Sequence, residues 1–333
     1  MPESFQALVA DNTGTFTVQV KQLSIHDLPE GEVLVQVAYS SVNYKDALAC
    51  SPDGKVVSSY PFVPGIDLSG VVVSSSDSRF KPGQPVLATG YQLGVTHYGG
   101  FSEYARVHAD WLVPLPAGLS LKEAMIYGTA GFTAALSIER LEENGMSPDK
   151  GSVLVTGATG GVGGAAIAIL HRKGYHVVAS TGDPEAAAEY LTALGADEIV
   201  SRGDINAIPA KPLNKQRWQA AVDSVGGSSL AAILSSISYG GSVAASGLTG
   251  GTAVPATVMP FILRGVSLLG IDSVFCPASR RLKLWERMAG DWKPGRLELL
   301  VDREISLRQL PQALADITQS RTLGRIVVRL GGG

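Results

Sequence analysis

The chain has 333 residues, 45% of them hydrophobic and 17% charged, with a formal net charge of −3 at pH 7. That length exceeds the size at which one hydrophobic core keeps growing, so two domains are expected, and the apolar content excludes a disordered chain. The small, dispersed charge points away from nucleic acid and anionic membranes as partners. Cysteine is limited to Cys50 and Cys276, read as free thiols in a reducing cytoplasm. Met1 to Gln6 lack the basic-then-apolar start of a signal peptide. Residues 224–263 carry no charge, but their glycines, prolines and serines mark buried sheet and loop rather than a membrane span.

The first 120 residues predict short strands at 5–9, 16–20, 32–39, 70–74, 84–89 and 101–107, separated by turns such as Asp11-Asn-Thr-Gly14 and Lys81-Pro-Gly83. This is the pattern of a compact, barrel-like domain. At Leu121 the pattern changes, with helices expected over 121–127 and 130–143. The string Gly151-Ser-Val-Leu-Val-Thr-Gly-Ala-Thr-Gly-Gly-Val-Gly-Gly164 follows. Val153 to Val155 read as an apolar strand, Gly157, Gly160, Gly161 and Gly163 as a turn, and 165–171 as a helix. A strand that runs through glycines into a helix aims backbone N–H groups and a helix N-terminus at one point, which suits a pyrophosphate.

A second strand is expected at 176–180 and a second helix at 185–194, capped by Gly195-Ala196-Asp197. A third strand starts at Glu198. Strand, helix, strand, helix, strand over about 50 residues is half of a doubly wound dinucleotide-binding sheet. Its other half reads as a strand at 219–223, a helix near 228–237, and strands at 241–246 and 266–271. Beyond it come a helix at 278–289, a strand at 299–304, a helix at 307–319 and a strand at 324–330. The last strand is expected to return to the first domain, giving a discontinuous domain over 1–125 and 273–333 and a nucleotide domain over 126–272. Such an insertion leaves a cleft between domains, a usual substrate site.

The end of the second strand bears on which nucleotide binds. Counting 20 residues from Gly163 reaches Asp183, the place of an acid that would grip the ribose 2′-OH of NAD. Asp183 is followed by Pro184 and Glu185, however, and reads as a helix N-cap. Ser180 and Thr181 are small donors that leave room for a 2′-phosphate beside Gly182, and Arg202 could supply its counter-charge. NADPH is therefore favoured over NADH.

Several motifs together resemble the medium-chain dehydrogenase/reductase superfamily: Ser41-Val-Asn43-Tyr44-Lys45-Asp46, Pro64-Gly65-Ile66-Asp67, Phe80-Lys-Pro-Gly83, Gly99-Gly100-Phe-Ser-Glu-Tyr-Ala105 and Gly128-Thr-Ala-Gly-Phe-Thr-Ala134. Asn-Tyr-Lys-Asp, Pro-Gly-Ile-Asp, Ala-Thr-Gly-Gly-Val-Gly and Val258-Met-Pro-Phe-Ile-Leu263 resemble its acryloyl-CoA reductase branch, often labelled quinone oxidoreductase. The resemblance covers essentially the whole chain. It implies an α/β fold, a Rossmann doubly wound parallel sheet plus a discontinuous β-rich GroES-like barrel domain.

Zinc-dependent relatives hold their metal with Cys, His and Glu. Here Gly65-Ile66-Asp67 stands in place of a Gly-His-Glu ligand motif, two cysteines cannot make a four-cysteine site, and the five histidines show no ligand spacing. No metal is expected. What remains feasible is hydride addition to an activated double bond, and the resemblance implies acryloyl-CoA or a similar short enoyl thioester.

Tyr44 is the leading catalytic candidate, as hydrogen-bond donor to the developing enolate and proton source, and also a cofactor contact. Asn43 could donate to the thioester carbonyl or form an Asx turn. Lys45 and Asp46 could orient Tyr44 or cap a following helix. Thr129 and Thr133, four apart on one face, could bond the nicotinamide amide. Thr159, Gly160, Gly161, Val162 and Gly163 form the expected phosphate cradle, and the resemblance adds Leu248, Ile262 and Ser273 as nucleotide-lining positions. The basic cluster Arg280, Arg281, Lys283 and Arg287 could meet CoA phosphates or form the solvated face of a helix.

Two alternatives stay open: a reductase of free quinones or enones, and a non-catalytic NADPH-binding sensor. A homodimer paired through the apolar edge strand 266–271 is expected, with a small molecule as the other partner and no nucleic acid or membrane.

Overall fold

The computed structural model describes residues 3–331. Met1 and Pro2 of the leader reading and the last two glycines of Gly331-Gly-Gly333 lie outside the described residues. In chain order, β1 (Ser4–Asp11), β2 (Thr17–Ser24) and β3 (Val33–Ser41) lead to the short helix α1 (Tyr44–Ala49). Strands β4 (Asp67–Ser75), β5 (Pro85–Thr89), β6 (Tyr104–Val107) and β7 (Leu112–Pro114) follow. Then come α2 (Leu121–Glu143), β8 (Val153–Thr156), α3 (Gly161–Arg172), β9 (Val177–Thr181), α4 (Pro184–Leu194) and β10 (Glu198–Ser201). Next are α5 (Arg202–Asn206), β11 (Trp218–Asp223), α6 (Gly227–Ser236), β12 (Ile237–Ala245), α7 (Met259–Arg264) and β13 (Ser267–Gly270). The chain closes with α8 (Ala278–Ala289), β14 (Val301–Ser306), α9 (Leu310–Thr318) and β15 (Arg325–Arg329).

Two compact units result. One gathers the described residues up to Thr129, 274–289 and those from Val301 onward; the other gathers 130–273 and 290–300. The segment 290–300 lies with the second unit, where the Lys173 ammonium sits 4.0 Å from the centre of the Trp292 ring.

The first unit is built on a sheet of order β14-β15-β3-β4-β5-β7, with β6 paired to β3 and a separate β1–β2 hairpin. β15 pairs antiparallel with β3, so the C-terminal strand does return to the N-terminal sheet. Alternating side chains of these strands fill one core that includes Leu8, Val35, Val37, Leu68 and Val328, joined by Phe101 from the segment before β6.

The second unit is a parallel sheet of order β10-β9-β8-β11-β12-β13. Counted from β8 this is 3-2-1-4-5-6, the doubly wound order with its switch point between β8 and β11. β8 and β11 are buried along their whole length, their apolar middles bounded by the polar residues Thr156, Gln219 and Asp223, and Leu154, Ala221, Ile233 and Val243 join one core.

Local departures have identifiable causes. α3 starts at Gly161, four residues before the expected position, so Gly161 and Gly163 are helical and not part of the turn. A Cβ on Gly163 would overlap the Gly157 carbonyl, so glycine there lets the first helical turn close onto the end of β8. β12 begins at Ile237, which pairs with Trp218. The expected helix end at 237 and strand start at 241 are thus corrected: a register shift and Gly240 (φ 71°) carry an irregularity inside one long strand. The expected helix over 307–319 opens as a 3₁₀ turn at 307–309 before α9. The expected helices over 121–127 and 130–143 agree with the structure, where the non-helical backbone of Gly128 (φ 52°, ψ −156°) divides α2 between them.

Candidate active site

In the first unit, β3 delivers Ser40 and Ser41 to its end, and α1 starts three residues later with Tyr44. Tyr44 is 46% exposed, so its phenol is available. The backbone beneath it is pinned by Asp46, which is buried: one carboxylate oxygen accepts from Asn43 N–H at 2.8 Å, the other from Ile66 N–H at 2.9 Å. Of the two roles left open for Asp46, the structure shows the cap of α1. Burial, and next the charge of Asp67, push its pKa up to about 7.

Asp67, at the start of β4, is fully buried and gathers donors from three elements. It accepts from Ser41 Oγ at 2.7 Å, Asn43 Nδ2 at 2.7 Å, Thr129 N–H at 2.9 Å and Thr129 Oγ1 at 2.5 Å. Arg325 on β15 faces it at 3.5 Å and donates to Ser41 Oγ (2.7 Å), Asn43 Oδ1 (3.0 Å), Val42 O (3.2 Å) and Ile126 O (3.2 Å). The break at Gly128 belongs to this arrangement, because a Cβ there would lie 2.6 Å from both Arg325 Nη2 and Ser41 Oγ and would overlap Asp67 Oδ2.

Two sequence expectations change here. Asn43 has its amide nitrogen on Asp67, with further contacts to Ser41 O and Asp46 Oδ2 at 3.3 Å, and its amide oxygen on Arg325. It is a buried member of the network that positions the start of α1, not an open donor for a thioester. Thr129 likewise directs its hydroxyl to Asp67 instead of leaving it for a nicotinamide amide. Asp67, in the place of the missing ligand motif, is engaged by hydrogen bonds and Arg325. Among the described residues no group of three or more His, Cys, Asp or Glu could hold a metal ion.

In the second unit the glycine loop closes β8. Gly157 takes φ 58°, and Gly160 caps α3 without a side chain of its own. With Thr159, Gly161, Val162 and Gly163 it forms an open α3 N-terminus, and a Cβ on Gly160 would reach only the Gly157 carbonyl, at 3.3 Å. This glycine cradle at the carboxyl end of a parallel strand fits the diphosphate of a dinucleotide.

A buried carboxyl missed by the sequence reading supports it. Asp223, ending β11, accepts from Thr156 Oγ1 at 2.7 Å and from Gly226 N–H at 2.8 Å, and burial raises its pKa. Ser224 N–H donates back to Thr156 Oγ1 at 3.2 Å, and a Cβ on Gly226 would lie 3.4 Å from Leu248 Cα. Leu248, 61% exposed, is thus gathered with the loop at the switch-point end of the sheet. Thr133 donates to Ser273 at 2.8 Å. Ile262 projects from α7 and is 71% exposed.

Ser180 and Thr181 are buried at the end of β9. Asp183 is the α4 N-cap, accepting from Ala186 N–H at 3.0 Å, with Pro184 in the first helical position. Arg202 opens α5 and lies against Gly182.

The basic cluster on α8 divides. Arg281 is buried in the first unit, donates to Thr89 O at 2.8 Å and Val274 O at 3.1 Å, and packs 4.6 Å from the Tyr91 ring centre. It is a structural cation, so neither sequence reading applies to it.

Two family models match: the alcohol dehydrogenase GroES-like domain over residues 29–117 and the zinc-binding dehydrogenase over 161–288. The chain is 61% identical over 331 residues to Bacillus subtilis YhfP, named as a quinone oxidoreductase, covering 99% of this chain and 100% of that one. It is 53% identical over 327 residues to the acrylyl-CoA reductase AcuI of Ruegeria pomeroyi, covering 97% and 98%. The solved structure of YhfP with NAD bound superposes with a TM-score of 0.96 over 99% of this chain and 100% of that one. That of E. coli K-12 YhdH with bound NADPH, 46% identical, gives 0.94 over 98% and 100%. The chain belongs to the medium-chain dehydrogenase/reductase superfamily, in the branch of the acrylyl-CoA reductases and the YhfP-type proteins named as quinone oxidoreductases.

Proposed function

We propose that the chain reduces an activated carbon–carbon double bond with NADPH, converting acryloyl-CoA or a similar short enoyl thioester into the saturated acyl-CoA. The observation that carries this reading is the 53% identity, over 97% of the chain, to an acrylyl-CoA reductase. The glycine cradle fits the cofactor's diphosphate, and the E. coli relative carries NADPH in its structure. Bound NADPH supplies a hydride for the β-carbon.

The chain's own residues do the rest by position and hydrogen bonding. Gly157, Gly160 and the N-terminus of α3 hold the diphosphate; Thr133 and Ser273, with the backbone at Leu248, line the nicotinamide half. Tyr44 offers its phenol to the thioester oxygen as charge grows there, and is the proton source. Asn43, Asp46, Asp67 and Arg325 hold the backbone that carries Tyr44. The donor set supports a metal-independent reaction, since the Asp67 carboxylate already faces a guanidinium and accepts from Ser41, Asn43 and Thr129.

A quinone or enone substrate is the second reading, favoured by the name of the YhfP relative. We further read the protein as a cytoplasmic homodimer paired through β13, which is an edge strand of its sheet. Among the described residues no helix is long and apolar enough to cross a membrane. Saturation kinetics with NADPH test the substrate: kcat/KM is expected to be higher for acryloyl-CoA than for a small quinone. A far higher value for the quinone overturns the thioester reading.

A further inference from the structure

The strand end that reads the adenosine ribose carries two opposed charges. β9 ends at Thr181, Gly182 follows, and Asp183 begins the cap of α4. In dinucleotide-binding sheets an acid at this place bonds the ribose hydroxyl of NAD, whereas a nearby arginine accommodates the 2′-phosphate of NADP. This chain has both. Arg202 opens α5 directly after β10, where Ser201 pairs in register with Thr181. A Cβ on Gly182 would lie 3.3 Å from Arg202 Nη2, so the guanidinium lies close beside the glycine.

Both side chains are available. Arg202 is exposed and has no hydrogen bond or ion pair among the described residues. Asp183 is exposed too, and only its Oδ1 is engaged, by Ala186 N–H at 3.0 Å. A 2′-phosphate brought to Gly182 is attracted by Arg202 and repelled by Asp183; a bare ribose hydroxyl finds an acceptor in Asp183 and needs nothing from Arg202.

We propose that Asp183 and Arg202 act in opposition, so that Asp183 limits the preference for NADPH and keeps NADH within about tenfold of it in affinity, the scale of one partly screened charge contact. This rests on reading the second unit as a nicotinamide dinucleotide site.

The test is equilibrium binding of NADPH and NADH to the full chain, followed by nicotinamide fluorescence, for the wild type, Asp183→Asn and Arg202→Gln. Asparagine keeps a capping oxygen, so the melting temperature of Asp183→Asn is expected to stay unchanged. That variant should bind NADPH about fivefold to tenfold more tightly without gaining affinity for NADH, and the gain should shrink as salt is added. Arg202→Gln should weaken NADPH about tenfold and leave NADH within twofold. An unchanged NADPH-to-NADH ratio in Asp183→Asn, or a wild-type preference above a hundredfold, overturns the proposal. Binding that follows the expected pattern without turnover of any activated alkene contradicts the reaction alone; failure to bind either nucleotide contradicts both readings.

Discussion

Replacing Arg325 by methionine removes the cation that faces the buried carboxylate of Asp67. The two side chains are 4% and 0% exposed, so water cannot substitute for the lost partner. Breaking a buried pair from one side costs roughly 3–5 kcal/mol, because the remaining charge is left uncompensated. The Val42 and Ile126 carbonyls and the Asn43 amide oxygen lose a donor as well. Such losses overlap within one network, so we take about 4 kcal/mol for the whole substitution, a large share of a typical 5–15 kcal/mol stability. The assay is urea unfolding of Arg325→Met, Asp67→Asn and the double variant, with the denaturant slope checked for constancy. The double variant removes both charges, so its cost should fall below the sum of the single costs by about 2 kcal/mol. A cost under about 1 kcal/mol for Arg325→Met, or additivity within about 0.5 kcal/mol, would refute the buried-pair argument.

The raised pKa of Asp46 makes stability depend on pH. Its folded value of about 7 lies above the ordinary 3.8, so its contribution is complete below about pH 4 and is lost as pH rises through 7. Thermal melting should show that decline, and Asp46→Asn should flatten it; an identical slope in the variant contradicts the assignment. Gly163→Ala places a Cβ into the Gly157 carbonyl and should weaken NADPH binding at least about tenfold by displacing α3 from the loop, measured by titration. Asp223→Ala and Thr156→Val break the same hydrogen bond, so their effects on cofactor affinity should be far from additive; additive losses would show that the bond does not hold the glycine loop. Tyr44→Phe keeps the ring and removes the phenol, and should lower kcat about a hundredfold with NADPH affinity held.

The nucleotide unit was legible because its signals are local. Strand, glycine loop and helix lie within one short stretch, and the Asp183-Pro184 cap and Gly195 end announce α4 by residue type alone. The start of α3 differs from the expected one because Gly161 and Gly163 are poor helix formers in isolation, yet the close approach of Gly163 to the Gly157 carbonyl leaves no room for a side chain at 163. The network beneath Tyr44 was not legible for a different reason. Arg325 reaches Asn43 from 282 positions away, and no spacing rule connects them. Asn43, Thr129 and Asp67 each stand in a separate sequence motif, and their hydrogen bonds exist only after β3, β4 and β15 share a sheet. Arg281 shows the same limit: a basic run on a helix does not reveal which of its members turns inward to Thr89 and Tyr91.

The most direct test of the central claim follows the hydride itself. Acryloyl-CoA is incubated with the enzyme and NADPH carrying deuterium at the transferable position of C4, and the acyl product is examined by NMR. The account predicts propanoyl-CoA with deuterium at the β-carbon and a solvent-derived proton at the α-carbon. Unlabelled product, or deuterium found at the α-carbon, would contradict it.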